Sequence, residues 1–189
     1  MGGVGGGGAQ LSAAGHRLLD AADRFAQARA TVLAGLRQDP GMPLPAAGLL
    51  SLGLRTSMRN QLPGTVLSLS TWGNIVRVAL GLSHGAVLYS RITVESAELL
   101  GLRPNLPALA LCKATAIRIE RSGTPQEGRN VLRGRVQRTS SSDQDCEVSL
   151  QLNPELHLVG FAPEDFEGQT GESAVALVDE AAIVIAVSA

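Results

Sequence analysis

Arg59-Asn-Gln-Leu-Pro-Gly-Thr-Val66 and Arg129-Asn-Val-Leu-Arg-Gly-Arg-Val136 are identical at five of eight positions, at an offset of 70 residues. A later pair, Ala108–Ile117 and Ala174–Ile183, aligns at an offset of 66, so the second copy is slightly shorter. Two tandem units of about 60 residues, each with about five short strands, predict a pair of small β-barrels. Gly64 and Gly134 fall at matching places and fit a bend or bulge early in a strand.

Within the first unit the hydrophobic pattern has period two. Thr65–Trp72, Asn74–Leu80, Ala86–Ile92 and Ala108–Glu120 read as strands, with a short helical turn at Val94–Leu100. Ser122–Gly128 is a turn-rich joint between the units. Upstream the period changes. Leu11, Leu18, Phe25 and Val32 recur every seven residues, with Ala14, Ala21 and Ala28 on the same face. Ser12 is a suitable N-cap. A helix of about 25 residues with one apolar stripe predicts pairing with a second copy, or packing on the chain's own β region.

Composition narrows the function. Aromatics are 3% of the 189 residues, so the core must be aliphatic and stacking platforms for bases are scarce. A net charge of −1 gives no electrostatic case for bulk nucleic-acid or membrane-surface binding. No apolar run approaches the roughly 20 residues of a membrane span. Cys112 and Cys146 have no paired spacing, which suits a reducing, cytoplasmic setting and argues against zinc. Gly3, Gly5 and Gly8 match a dinucleotide fingerprint, but no strand precedes them. Gly81-Leu-Ser-His-Gly85 matches a nucleophile elbow, but both flanks read as strands, which predicts a hairpin loop. His16, His84 and His157 are dispersed. Neither an enzyme nor a free-metal site is expected.

Lys113 is the only lysine, set in the apolar run Ala108–Ile117, beside fifteen arginines elsewhere. A cation inside a hydrophobic strand requires an anion or an outlet to water. The first unit also gathers hydrogen-bond donors: Thr56-Ser57-Met58-Arg59-Asn60, Thr93 and Ser96 at the start of the helical turn, and Lys113-Ala114-Thr115. Hydroxyls, a guanidinium, an ammonium and backbone amides together describe a site for a small oxyanion. The amides at Val94–Ser96 would add donors at a helix N-terminus.

Thr56-Ser-Met-Arg-Asn-Gln61, Ile92-Thr-Val-Glu-Ser96 and Cys112-Lys-Ala-Thr115 resemble the three signature segments of molybdate-binding mop (TOBE-type) domains. Two in tandem, preceded by Gln10-Leu-Ser-Ala-Ala-Gly15, resemble the C-terminal region of the ModE family of molybdate-responsive regulators. The resemblance implies a mainly β fold with an N-terminal α-helix and two tandem OB-like five-stranded barrels. It divides the chain into a Gly-rich disordered remnant (1–9), a dimerisation helix (10–37), a linker (38–54), a first mop domain (55–121), a joint (122–128) and a second mop domain (129–189).

It further implies a homodimer with molybdate at the subunit interface; tungstate would fit the same tetrahedral site. Ser57, Arg59, Lys113 and Ala114 would come from one subunit, and Thr93 and Ser96 from the other. The implied function is effector sensing in a molybdenum-dependent regulator, the alternative a stand-alone molybdate store. The family's helix-turn-helix should precede the Gly run, so DNA binding by this chain alone is not expected. The second unit departs from the pattern, with Asp179 in the place of Lys113 and Ala162 in that of Thr93. An acid repels an oxyanion, which predicts a structural role for that unit.

Overall fold

The computed structural model describes residues 11–38, 56–141, 146–166 and 168–187. The Gly-rich segment 1–9 and the linker after residue 38 lie outside them. The described chain comprises two units, an N-terminal helix and a β region. The helix, α1 (Ala13–Gln38), starts where the sequence predicts: the Ser12 hydroxyl accepts the Gly15 N–H at 3.1 Å. On it Leu18, Phe25 and Val32 are exposed. No helix among the described residues is long and apolar enough to cross a membrane.

The β region is the expected barrel pair. Its first half contains β1 (Asn60–Trp72), β2 (Ile75–Leu82), β3 (Val87–Thr93), α2 (Val94–Leu99) and β4 (Pro107–Cys112). A short strand, β5 (Arg118–Glu120), leads into β6 (Arg129–Ser141), β7 (Cys146–Asn153), β8 (Leu156–Ala162), β9 (Ser173–Asp179) and β10 (Val184–Ala186). One sheet has the order β10-β4-β1-β2-β3; the other closes as β5-β8-β7-β6-β9.

Each half therefore lends its last strand to its neighbour: β5 pairs with β9 and β8, and β10 pairs with β4. The expectation of one continuous strand over Ala108–Glu120 is corrected accordingly. The chain breaks at a single 3-10 turn, Ala114–Ala116, and crosses to the other barrel. Glu180–Ala182 makes the equivalent turn before β10.

The repeated residues have matching structural duties. A Cβ on Gly64 would sit 2.8 Å from the Gly81 carbonyl oxygen, and one on Gly134 would sit 2.5 Å from that of Gln151. Glycine recurs because the neighbouring strand passes too close for a side chain. The bulges lie two to three residues further on, between Val66 and Ser68 and between Val136 and Arg138.

The repeated asparagines clasp the two halves together. Asn60 donates from Nδ2 to the Val159 carbonyl (2.9 Å) and accepts the Val159 N–H on Oδ1 (2.6 Å). Asn130 does the same to Tyr89, at 2.9 and 2.7 Å. Each buried amide acts as one more rung of backbone pairing, so Asn60 belongs to the fold and not to an anion site. The core is one contiguous aliphatic cluster drawn from both halves, with Leu62, Val66, Leu80 and Ile119 beside Val136, Leu150 and Leu158.

Candidate functional site

The rim of the first half is formed by the start of β1 and the end of β4. Their ladder ends at Asn60 opposite Cys112, so the next residues outward are Arg59 and Lys113. In the second half the corresponding ladder runs one step further and includes Arg129 opposite Asp179. Charge accounts for the difference. Two cations facing each other across a ladder repel, whereas an arginine facing an aspartate closes it.

Lys113 is exposed, in extended conformation at the end of β4, and forms no ion pair among the described residues. The expectation of a lysine inside a continuous strand is corrected: the strand stops at Cys112, and of the two outcomes open to the cation the lysine has the outlet to water. The next residue, Ala114, is buried at the start of the 3-10 turn. In the second half the amide at that place, Glu180 N–H, donates to the Gly128 carbonyl at 2.9 Å. The equivalent bond, from Ala114 N–H to the Met58 carbonyl, is not among those of the described residues. Ser57 is exposed, in the segment where the Thr56 hydroxyl accepts the Met58 N–H at 3.0 Å. Arg59 and Lys113 thus flank the end of one ladder, with Ser57 and Ala114 close to them in the chain, and among the described residues no bond of the Lys113 ammonium or the Ala114 amide occurs.

Arg59 has a partner. Its two terminal nitrogens grip the Glu147 carboxylate of β7, with the Nη2–Oε1 contact at 3.2 Å. The contact joins the halves, and Arg138 lies 3.8 Å from the same carboxylate. Hydrogen bonding from Arg59 holds the Glu147 carboxyl below its ordinary pKa and raises that of the guanidinium. Sequence reasoning missed Glu147, which lies 88 residues away and has no counterpart acid in the first half. Its repeat equivalent is Arg77.

Thr93 and Ser96 lie elsewhere. Thr93 caps α2, its Oγ1 accepting the Ser96 N–H at 3.1 Å and donating to Ser96 Oγ at 2.9 Å. Val94 N–H donates to the Asn74 carbonyl at 3.0 Å. Two of the three amides expected to receive an anion, at Val94 and Ser96, are therefore already committed, while the hydroxyl pair remains. Thr93 pairs with Ile75, which pairs with Trp72 at the far end of β1 from Asn60. Thirteen residue steps at about 3.3 Å each put that end on the order of 40 Å of strand contour from Arg59, at the opposite end of the ladder. One chain does not bring the two groups together.

The second half has neither hydroxyl. Val76 pairs with Ile92 as Cys146 pairs with Ala162, so the register makes Pro163, and not Ala162, the counterpart of Thr93. Its rim is closed on itself: Arg129 donates to Asp179 at 3.0 Å and to Gln126 Oε1 at 3.1 Å. No group of three or more metal-ligating side chains occurs among the described residues.

Comparison with known proteins bears on the fold and the family. The TOBE domain family matches residues 56–119. The molybdenum-pterin-binding protein MopB of Rhodobacter capsulatus is 33% identical over 153 residues, covering 80% of this chain and 56% of MopB. The chain thus spans little more than half the length of that relative. The DNA-binding transcriptional dual regulator ModE of Escherichia coli K12 is 30% identical over 191 residues, covering 98% of this chain and 73% of ModE. Among solved structures, the cytoplasmic molybdate-binding protein ModG with molybdate bound superposes with a TM-score of 0.66 at 26% identity. That match covers 71% of this chain and all of ModG.

Proposed function

From the premise that this chain belongs to the ModE family, we propose that it binds molybdate at the open rim of its first half. The observation that carries the reading is the contrast between the rims. Lys113 is exposed at the ladder's end beside Arg59 and no bond from the Ala114 amide is among those of the described residues, whereas Arg129 is matched by Asp179 and the Glu180 amide is already bonded. A tetrahedral dianion supplies oxygens for the ammonium, the amide and the Ser57 hydroxyl, and takes the place of Glu147 at the guanidinium. Binding, without catalysis, is the activity proposed, and tungstate shares the required shape and charge.

Thr93 and Ser96 complete the site from a second copy of the chain, because their own rim residues are too distant. The exposed stripe of α1, with Leu18, Phe25 and Val32, offers the surface through which the copies pair. Removal of residues 1–36 is expected to lower the mass in solution if α1 contributes to that pairing. The division into a first and a second mop domain joined at 122–128 is the domain reading proposed with it.

The protein would then be the effector-sensing part of a molybdenum-dependent regulator. Full-length coverage of ModG favours a second reading, a cytoplasmic molybdate store. A gel-shift on a molybdenum-uptake promoter separates the two, since specific binding by this chain excludes pure storage. The site itself is tested by calorimetric titration with sodium molybdate. Lys113→Ala is expected to weaken binding at least about tenfold, as loss of a charge-assisted contact requires. Parent-like affinity in that variant would remove Lys113 from the site. Sulfate competition in the same cell measures discrimination by size, since charge and shape are shared.

A further inference from the structure

The contact between Arg59 and Glu147 is the feature that an oxyanion reading of this rim leaves unexplained. Glu147 lies on β7 of the second half, with 23% of its side chain exposed. Its two oxygens meet the two terminal nitrogens of Arg59, the same fork that a tetrahedral oxyanion uses when two of its oxygens face a guanidinium. An arriving anion and Glu147 therefore want the same donors.

Two further observations give this contact a direction. First, the carboxylate is absent from the repeat pattern: the position equivalent to Glu147 is Arg77, which pairs instead with Glu180. Glu147 is thus a feature of the first rim alone, the rim with the uncommitted ammonium. Second, Glu147 has somewhere to go. Arg138 of β6 stands 3.8 Å from Oε1, so a carboxylate released by Arg59 remains beside a cation and close to water. Displacement strands no buried charge, in contrast to Glu180, which is 2% exposed and has no such outlet.

We infer that Glu147 is a tethered competitor for the oxyanion, occupying Arg59 when the site is empty and yielding to the ligand, so that it sets the concentration at which the site fills. The inference rests on the molybdate reading above. A site whose arginine is occupied for most of the time has its apparent affinity reduced by the fraction that is free. An ion pair of this exposure is mostly but not permanently formed, which places the reduction at roughly three- to tenfold.

The test is calorimetric titration of the full chain with sodium molybdate, comparing the parent with Glu147→Gln at 0.05 M and 0.5 M sodium chloride. Glu147→Gln keeps the shape and loses the charge. The expected result is a three- to tenfold tighter dissociation constant at 0.05 M and a smaller gain that persists at 0.5 M, because salt weakens an exposed contact pair without abolishing it. A gain at low salt that vanishes at high salt means that Glu147 acts only through the general field, and overturns the competitor role. Unchanged or weaker binding by a folded Glu147→Gln, checked by its thermal unfolding, overturns it as well. A parent that does not bind molybdate at all defeats the underlying functional reading instead. Glu147→Asp, one methylene shorter and unable to hold the same fork, is the companion variant and is expected to fall between the parent and the glutamine form.

Discussion

The two rims of the barrel pair are built from the same repeat and end in opposite electrostatic states. In the second half Arg129 meets Asp179, the ladder closes one step further, and the turn amide of Glu180 is bonded to Gly128. In the first half Lys113 replaces the acid, the ladder stops short, and Arg59 turns to a carboxylate borrowed from the other barrel. The difference separates what the repeat needs in order to fold from what it needs in order to bind. Asn and Gly recur in both halves because each closes a backbone contact there. The charged positions diverge, and the proposed site assigns the anion to the first half alone.

The comparison can be broken first at the ion pairs. Arg77→Ala leaves the Glu180 carboxylate buried at 2% exposure without its cation, and removes a guanidinium stacked 3.7 Å over Tyr89. Breaking a fully buried pair costs about 3–5 kcal/mol; with 37% of the Arg77 side chain exposed, about 3 kcal/mol is expected in urea unfolding. Arg59→Ala, at the equivalent contact on the open rim, should leave the unfolding midpoint unchanged and abolish molybdate binding. Equal destabilisation by the two variants would make the rims equivalent.

The clasp is the converse case, where the halves should agree. Asn60→Ala and Asn130→Ala each leave a buried backbone N–H and C=O without the side-chain partners they now have. Each is expected to cost about 2–3 kcal/mol, with the two values alike within about 0.5 kcal/mol. A large inequality would mean that the pseudo-symmetry of the fold is only apparent.

A smaller effect is expected from Asp179→Lys, which gives the second rim the charge of the first. Its ion pair with Arg129 is exposed, so stability should fall by no more than about 1 kcal/mol. The number of molybdate sites should stay the same, because the Glu180 amide remains bonded and Pro163 supplies no hydroxyl. An added site in calorimetry would show that the lysine alone is sufficient. The smallest effect concerns Cys112, beside Lys113. Burial pushes its thiol pKa up to about 11, so the sulfur stays protonated at neutral pH. Iodoacetamide should leave Cys112 unmodified in the native protein and label it in urea, as read by mass spectrometry.

Much of this architecture was legible in the chain. Ser12 marks the helix start, and the eight-residue repeat announces two barrels. The placement of Arg59 and Lys113 at one end of the β1–β4 ladder agrees with the segments quoted for them. The strand exchange was not legible. Ala114-Thr-Ala116 contains no glycine or proline to signal a break, and its apolar residues continue the strand pattern into Ile117. The same continuity sets Lys113 within the strand pattern, whereas it stands just past the strand's end. Glu147 escaped because a pairing across 88 residues, between barrels, leaves no local trace. The helix amides at Val94 and Ser96 were over-read, since a capping threonine and a turn carbonyl satisfy them first.

The central claim is that one charge distinguishes a binding rim from a supporting one. Lys113→Asp tests it by making the first rim a copy of the second, with an acid beside Arg59 as Asp179 stands beside Arg129. Titrated with sodium molybdate, a folded Lys113→Asp protein is predicted to show no measurable heat of binding where the parent shows a saturable one. Saturable binding with the parent's affinity would contradict the account.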